Sequence, residues 1–327
     1  MAVVNITKDA GHLARQEKGR HKTKFKVLTS DIKRDRWLYV MLIPILVYFI
    51  IFKYIPMFGT VIAFKEFRIS DGIFGSQWAG LKYFNRLFQS SDFYNILFNT
   101  LRLSFFSILF GFPLPVILSI MLNEIGNTKF KRTIQSIIYI PHFISWIVLG
   151  GIIVSLLSPS DGLVNIIIRA LGGQGIYFMS DNTWWQVVFV ISGIWQSVGW
   201  GTIIYLAAIS GISPEMYEAA TIDGAKKLTQ IWHITLPSLR NTIAIMFILR
   251  MGSVLQVGFE QVYSLQNDMV LGVSEVISTY EYRLGIQGLQ YSATTALGLF
   301  KGVINLIMIG AANLIVTRLS DGESGLW

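Results

Sequence analysis

Cysteine is absent from the 327 residues. That excludes a disulfide framework, thiolate metal sites, iron–sulfur clusters and a cysteine nucleophile. Charge is scarce as well: Asp, Glu, Lys and Arg make up 14% of the chain, against about 25% in an ordinary soluble domain. Histidine occurs four times, too thinly for a metal cluster, so no metal site is expected. What is abundant is apolar: 53% of the residues are hydrophobic and 13% aromatic, with a mean hydropathy of +0.54. Disorder requires the opposite balance. A net charge of +8 on so apolar a chain does not suit nucleic acid as a partner, because nucleic acid needs basic groups on a solvated face. The composition is that of a basic membrane protein, and its long apolar stretches make the expected fold class an all-α integral membrane protein.

A spanning helix needs about 20 mostly apolar residues to cover a hydrocarbon core of about 30 Å. Six such stretches stand out, at 37–58, 97–122, 134–157, 185–209, 242–259 and 296–317, the fifth fading at its far end. Trp37, Tyr39 and Tyr54 suit the aromatic belts of the first. Pro44, Pro56, Pro113, Pro115 and Pro141 fall in or near spans, where neighbouring helices satisfy the carbonyls that proline leaves unbonded. Gly150, Gly151, Gly193, Gly199 and Gly201 permit close helix approach in lipid.

Cytoplasmic loops collect Lys and Arg. Ten basic residues precede the first span, and Lys129, Lys131, Arg132, Lys226, Lys227, Arg240 and Arg318 fall on the same side of a six-span chain. The other side holds Lys65, Arg68, Lys82, Arg86, Arg169 and Arg283. The bias places both termini in the cytoplasm. Three regions follow: a basic segment at 1–36, a transmembrane domain at 37–319 and a short cytoplasmic tail at 320–327. The basic segment lacks an apolar core and the first span lacks a small-residue cleavage site, so no secretory signal is expected.

The loop at 210–239, SGISPEMYEAATIDGAKKLTQIWHITLPSL, is polar between two spans. Ser213, Pro214 and Glu215 form a helix start: a hydroxyl to cap, a proline for the first turn and an acid for the positive helix end. The helix should run to about Asp223 and break at Gly224. Ala225 to Trp232 can then form a second amphipathic turn before Pro237. A helix-turn-helix hairpin on the inner membrane surface results.

Within it, Glu218, Ala219 and Ala220 are followed after three residues by Gly224 and after nine more by Ile234, Thr235, Leu236 and Pro237, with Asp223 and Ala225 flanking the glycine. This resembles the EAA loop of bacterial ABC importer permeases. Further stretches are similar to the carbohydrate-uptake permeases of that family, especially the LplB-like oligosaccharide group: 192–213 (SGIWQSVGWGTIIYLAAISGIS), 158–165, 260–265, 276–285 and the terminal LSDGESGLW. The likeness covers 37–327. It implies the type I importer fold with six transmembrane helices, and a coupling helix at Glu218, Ala219, Ala220, Asp223, Gly224, Ala225, Ile234, Leu236 and Pro237 that seats in a separate ATPase subunit. It also implies a second permease, an ATPase dimer and an extracytoplasmic substrate-binding protein, working by alternating access in the bacterial inner membrane. ATP and Mg would belong to the ATPase; the chain has no G-x-x-x-x-G-K-[ST] cradle, and neither a cofactor nor a catalytic residue is expected in it. On the residues alone, an ordinary surface helix ending in glycine also accounts for the EAA triplet.

A carbohydrate path needs flat aromatics for sugar faces and planar polar groups for hydroxyls. Trp195, Gln196 and Trp200 in the fourth span, Arg250 and Gln256 in the fifth, and Asn305 in the sixth are candidates. A charge near mid-membrane costs about 2.5–3.5 kcal/mol on insertion scales, so Arg250 facing the path would favour an anionic sugar such as a uronate oligosaccharide. Packing or lipid exposure of the tryptophans, snorkelling of Arg250 and an interhelical bond at Asn305 are the competing assignments. The outer loops at 64–92, 158–184 and 260–295 are long enough to dock a binding protein, with short helices expected in the first and last. Other importer branches (amino acid, peptide or other small solute), a polytopic membrane enzyme and a secondary carrier are the alternatives; the last two lack clustered acids and inverted repeats, respectively.

Overall fold

The computed structural model describes residues 35–319; nearly all of the basic segment and the whole 320–327 tail lie outside them. The chain divides into two units, 1–61 and 62–327.

In the first unit, α1 (Arg36–Phe49) continues through a π-helical turn at Ile50–Tyr54 into Ile55–Phe58. None of its side chains is buried. A helix apolar all round has no water-facing stripe and belongs in lipid. The run Arg36–Phe64 is long and apolar enough to cross a membrane.

The second unit opens with a two-stranded ribbon, β1 (Lys65–Glu66) antiparallel to β2 (Gln77–Trp78), then α2 (Lys82–Gln89). Trp78, in the loop expected to be the first outer one, thus sits in a strand, and the helix begins only after Gly80, whose φ of +57° suits a residue without Cβ. α3 (Ser91–Gly111) and α4 (Pro113–Asn123) form one long span, Ser91–Asn123.

The third expected span is broken. α5 (Thr128–Tyr139) is capped by the Asn127 side chain, which accepts from the amides of Lys129 and Phe130 at 3.0 and 3.1 Å. A 3₁₀ turn at Ile140–Phe143 then joins it to α6 (Trp146–Leu156) with a bend of 100°. Pro141 inside that turn lacks the amide needed to continue an α-helix, which accounts for the elbow.

After α7 (Leu163–Ala170), α8 (Asn182–Ser210) is a straight span of 29 residues, capped by Asp181 through the amides of Thr183 and Trp184, both at 2.9 Å. It packs against α3, α4 and α5. The close approach to α5 depends on Gly199, where an added Cβ would collide with the backbone carbonyl of Ile138. Small residues are what let helix backbones meet without a lipid-excluding driving force.

The hairpin follows as α9 (Pro214–Ile222) and α10 (Lys227–Gln230), and α10 runs through a π turn at Ile231–Thr235 into α11 (Leu236–Met251). The fifth expected span is therefore shorter than its hydropathy suggested. α11 stops at Gly252, packed against Ile309, and the backbone is non-helical until α12 (Phe259–Leu265). α13 (Ile277–Tyr282) and the last span, α14 (Tyr291–Leu319), complete the fold.

Non-helical backbone at membrane depth needs protein partners for its polar groups. α3 supplies them: Ser104 donates to the Val254 carbonyl, Asn99 to those of Gly272 and Glu275 at 2.9 and 3.2 Å, and Thr100 accepts from the Ile277 amide at 3.0 Å. Trp185, fully buried, donates its indole N–H to the Leu265 carbonyl at 2.8 Å and anchors α12 to the start of α8. Among the described residues four helical segments are long and apolar enough to cross a membrane, and the elbowed pair α5–α6 makes a fifth if it is one span.

Candidate functional site

Two regions carry the residues singled out by sequence. At the hairpin, α9 ends in a double hydrogen bond: the Gly224 amide reaches the Thr221 carbonyl at 3.0 Å and the Ala225 amide reaches that of Ala220 at 2.9 Å. This is the Schellman pattern, which requires a left-handed residue at its centre. Gly224 provides it with φ +76°. Ser213 holds the N-cap position, but its hydroxyl makes no capping bond. The start instead uses Pro214 in the first turn and Glu215 beside the positive helix end.

The two arms are fastened side chain to side chain. Tyr217 and Thr235 share a hydroxyl hydrogen bond of 2.9 Å, and buried Gln230 donates to Thr221 Oγ1 at 3.0 Å and to the Ala225 carbonyl at 3.2 Å. Lys227 pairs with Glu124, just after α4, at 3.1 Å. A cavity of about 540 Å³ lies between these pieces, lined by Glu124, Tyr217, Glu218 and Gln230 among others. Glu218, Ala219, Asp223, Gly224 and Pro237 are exposed, whereas Ala220, Ala225, Ile234 and Leu236 are half-buried. Ile222, 86% exposed, and Leu228, 71% exposed, project beside the acids together with Trp232. Apolar side chains bared in a polar hairpin mark an interaction surface.

The second region is a cavity, also of about 540 Å³, walled by α3, α4, α6, α8, α11 and α12. Gln196, Trp200, Arg250 and Gln256 all line it, so four of the six candidate path residues converge from two separate helices and the turn after α11. Arg250 does so near the end of α11, and its guanidinium has no hydrogen bond or ion pair among the described residues. Gln196 is held by a 3.3 Å bond from its amide nitrogen to the His142 carbonyl.

Trp195 and Asn305 do not line this cavity. Trp195 is half-exposed on another face of α8. Asn305 is buried and its Oδ1 accepts from the Leu255 amide at 3.4 Å, bracing the non-helical segment after α11.

Sequence reasoning missed several lining residues: Ser104, Ser107, Trp146, Ser197, Tyr205 and Gln261. Ser104 and Ser107, at i and i+3 in the second span, carried a legible signal, because such spacing puts both on one helix face. Gln261 carried none, since only the break after α11 folds it inward, where its amide nitrogen donates to the Phe189 carbonyl at 2.7 Å. Arg102 in the second span also went unremarked. It donates to Asn99 Oδ1 at 3.2 Å and lies 5.5 Å from the Phe98 ring centroid, a bracing role at the α3 surface.

Two carboxylates outside the spans are tuned. Hydrogen bonds from Ser158 and Ser160, at 2.5 and 2.7 Å, hold Asp161 below the usual carboxylate range. The bonded Lys82 ammonium, 3.0 Å away, does the same for Glu66. Within the last part of the chain, Arg283 grips Glu275 through two bonds of 2.7 and 2.9 Å, and Lys301 on α14 pairs with Glu281 on α13. Among the described residues no group of His, Asp and Glu is arranged to hold a metal ion.

A bundle of membrane-length helices with a polar and aromatic cavity and a hairpin that bares apolar side chains has the form of a transport permease. Residues 78–321 match the family described as the binding-protein-dependent transport system inner membrane component, and the chain belongs to it. It is 45% identical to Protein LplB of Bacillus subtilis strain 168 over 292 residues, covering 89% of this chain and 92% of that one. It is 42% identical over 306 residues to the polygalacturonan/rhamnogalacturonan transport system permease protein YteP of the same organism, covering 94% and 95%. Among solved structures it resembles a chain of a bacterial ABC transporter involved in the import of the acidic polysaccharide alginate, with a TM-score of 0.82, 41% identity, and 90% and 99% coverage. A bacterial alginate ABC transporter in complex with an alginate pentasaccharide-bound periplasmic protein also matches, with a TM-score of 0.83, 40% identity, and 91% and 99% coverage.

Proposed function

We propose that this chain is the permease subunit of an ATP-driven importer that carries acidic oligosaccharides by alternating access. The observation that carries this is Arg250, an unpaired guanidinium in the wall of a cavity that also offers Trp200, Gln196 and Gln256. An unpaired charge on a spanning helix is costly, and a uronate carboxylate would complete it with charge-assisted bonds. Relatives named for polygalacturonan and alginate transport support the same substrate class.

The subunit works within an assembly. A second permease completes the path, a binding protein delivers the sugar from outside, and an ATPase dimer holding ATP and Mg drives the cycle. This chain breaks no bond. The hairpin at 210–239 is its coupling element: Glu218 and Asp223 offer carboxylates to basic groups, and Ile222 and Leu228 add apolar contact. Because α10 is helically continuous with α11, force on the hairpin reaches Arg250 along one rod.

Six crossings are proposed, counting α1, α3–α4, α5–α6, α8, α11 and α14, with both termini in the cytoplasm of a bacterial cell. The basic segment 1–36 and the tail 320–327 flank the transmembrane domain 37–319. The deciding experiment is uptake by the assembled transporter in proteoliposomes, supplied with tetragalacturonate or a neutral oligosaccharide of equal length. Preferential, ATP-dependent uptake of the acidic sugar is expected; equal uptake of both removes the acidic substrate, and uptake of neither removes the sugar.

A further inference from the structure

We infer that His142 is a positioning residue for the cavity's aromatic wall, backing one face of Trp200 so that the indole presents its other face to a pyranose ring. The inference rests on the proposed sugar path and adds to it a residue that does not itself line the cavity.

The geometry is specific. The His142 and Trp200 ring centroids are 4.6 Å apart with an interplanar angle of 7°, a parallel stack. Phe143 meets Trp200 edge-on at 5.8 Å and 86°. His142 thereby covers one indole face and Phe143 packs nearly perpendicular to the ring, while Trp200 remains 47% exposed and lines the cavity. The buried Nδ1 of His142 has no hydrogen-bond partner among the described residues. Stacking is thus its principal contact, an unusual use of a polar ring in a half-buried place.

The elbow between α5 and α6 holds the stack in place. His142 sits in its 3₁₀ turn, where the path bends by 100°. Three neighbouring positions on α8 grip that turn: Gln196 bonds the His142 carbonyl at 3.3 Å, Gly199 lets the backbone of α5 press close at Ile138, and Trp200 stacks. A tryptophan packed between His142 and Phe143 has little rotamer freedom left, so its exposed surface needs no ordering when a sugar arrives.

The test uses the assembled transporter in proteoliposomes with tetragalacturonate, reading sugar carried per ATP hydrolysed. Trp200→Ala is expected to lower that ratio about tenfold, the scale of a lost aromatic contact. His142→Leu, which fills the volume without a flat face, should cause a comparable loss, and His142→Phe should retain the wild-type ratio. The double variant His142→Leu/Trp200→Ala should be no worse than Trp200→Ala alone. Each variant is compared at equal yield of assembled complex; if His142→Leu fails to assemble, His142→Met against His142→Phe replaces it. Equal ratios for the flat and non-flat variants, or additive losses in the double variant, overturn the role of His142. An unchanged ratio in Trp200→Ala overturns the sugar path itself, and this inference with it.

Discussion

At Arg250 a full charge stands in a cavity wall with no acid to neutralise it among the described residues. Hydrogen bonds to charged groups contribute about 1.5–3 kcal/mol, and an energy of about 1.4 kcal/mol is a factor of ten. Arg250→Gln keeps a planar donor but removes the charge. Uptake of tetragalacturonate by that variant is expected to fall by about ten- to a hundredfold, while a neutral oligosaccharide of equal length changes by less than about threefold; competition uptake with the two labelled sugars measures the difference. Glu218 is exposed on α9, in the hairpin proposed to meet the ATPase. Glu218→Lys reverses the charge offered to the ATPase, so sugar-stimulated ATP hydrolysis should be lost while the variant still inserts and is recovered from membranes. Normal stimulation in Glu218→Lys would remove this acid from the coupling surface.

At the scale of elements, the hairpin and the elbow both depend on a glycine, for different reasons. Gly224 is needed for its backbone conformation, because φ +76° is costly for a residue with Cβ and more so for a β-branched one. Gly199 is needed for space, since any Cβ there meets the Ile138 carbonyl. Gly199→Val should therefore push α5 off α8, lowering the thermal midpoint of the solubilised complex by several degrees, consistent with an overpacking cost of about 1–3 kcal/mol. Gly224→Val should uncouple ATP hydrolysis from uptake, because the strain falls on the exposed hairpin turn rather than on the contact between α5 and α8. The turn at 158–162 has a pH dependence of known sign. Asp161 is held below its ordinary range by two serine hydroxyls, so its stabilisation is present above the unfolded carboxyl value and is lost as pH falls through the lowered folded value. Amide exchange across that turn should accelerate in acid, and Asp161→Asn should show the fast rate already at neutral pH.

For the whole molecule, the distribution of basic residues makes a topological prediction that the absence of cysteine renders simple to check. A single cysteine introduced at Ser160 should react with a membrane-impermeant maleimide added to intact cells; one at Glu215 should react only after the cells are opened. The reverse pattern would invert the proposed orientation and with it the coupling role of the hairpin.

Much at this scale was legible from the chain alone. Composition and the run lengths of apolar residues determined a helical membrane protein, because a bilayer tolerates backbone only when its hydrogen bonds are satisfied internally. Spacing within 210–239 determined the hairpin and its turn, because a left-handed C-terminal residue and a proline start are local demands of one segment on itself. Tertiary structure alone decided the rest. Pro141 makes a break at the elbow a local matter, but the hold of Gln196 on that turn, the early end of α11 and the inward fold of Gln261 each depend on donors and acceptors supplied by α3 and α8, distant in sequence. The same holds for the division of the path candidates, with Gln196, Trp200, Arg250 and Gln256 on the cavity and Trp195 and Asn305 off it. Hydropathy reports how well a residue suits lipid, and it carries no information about which face of a helix a neighbour will cover. That is settled only when the helices pack.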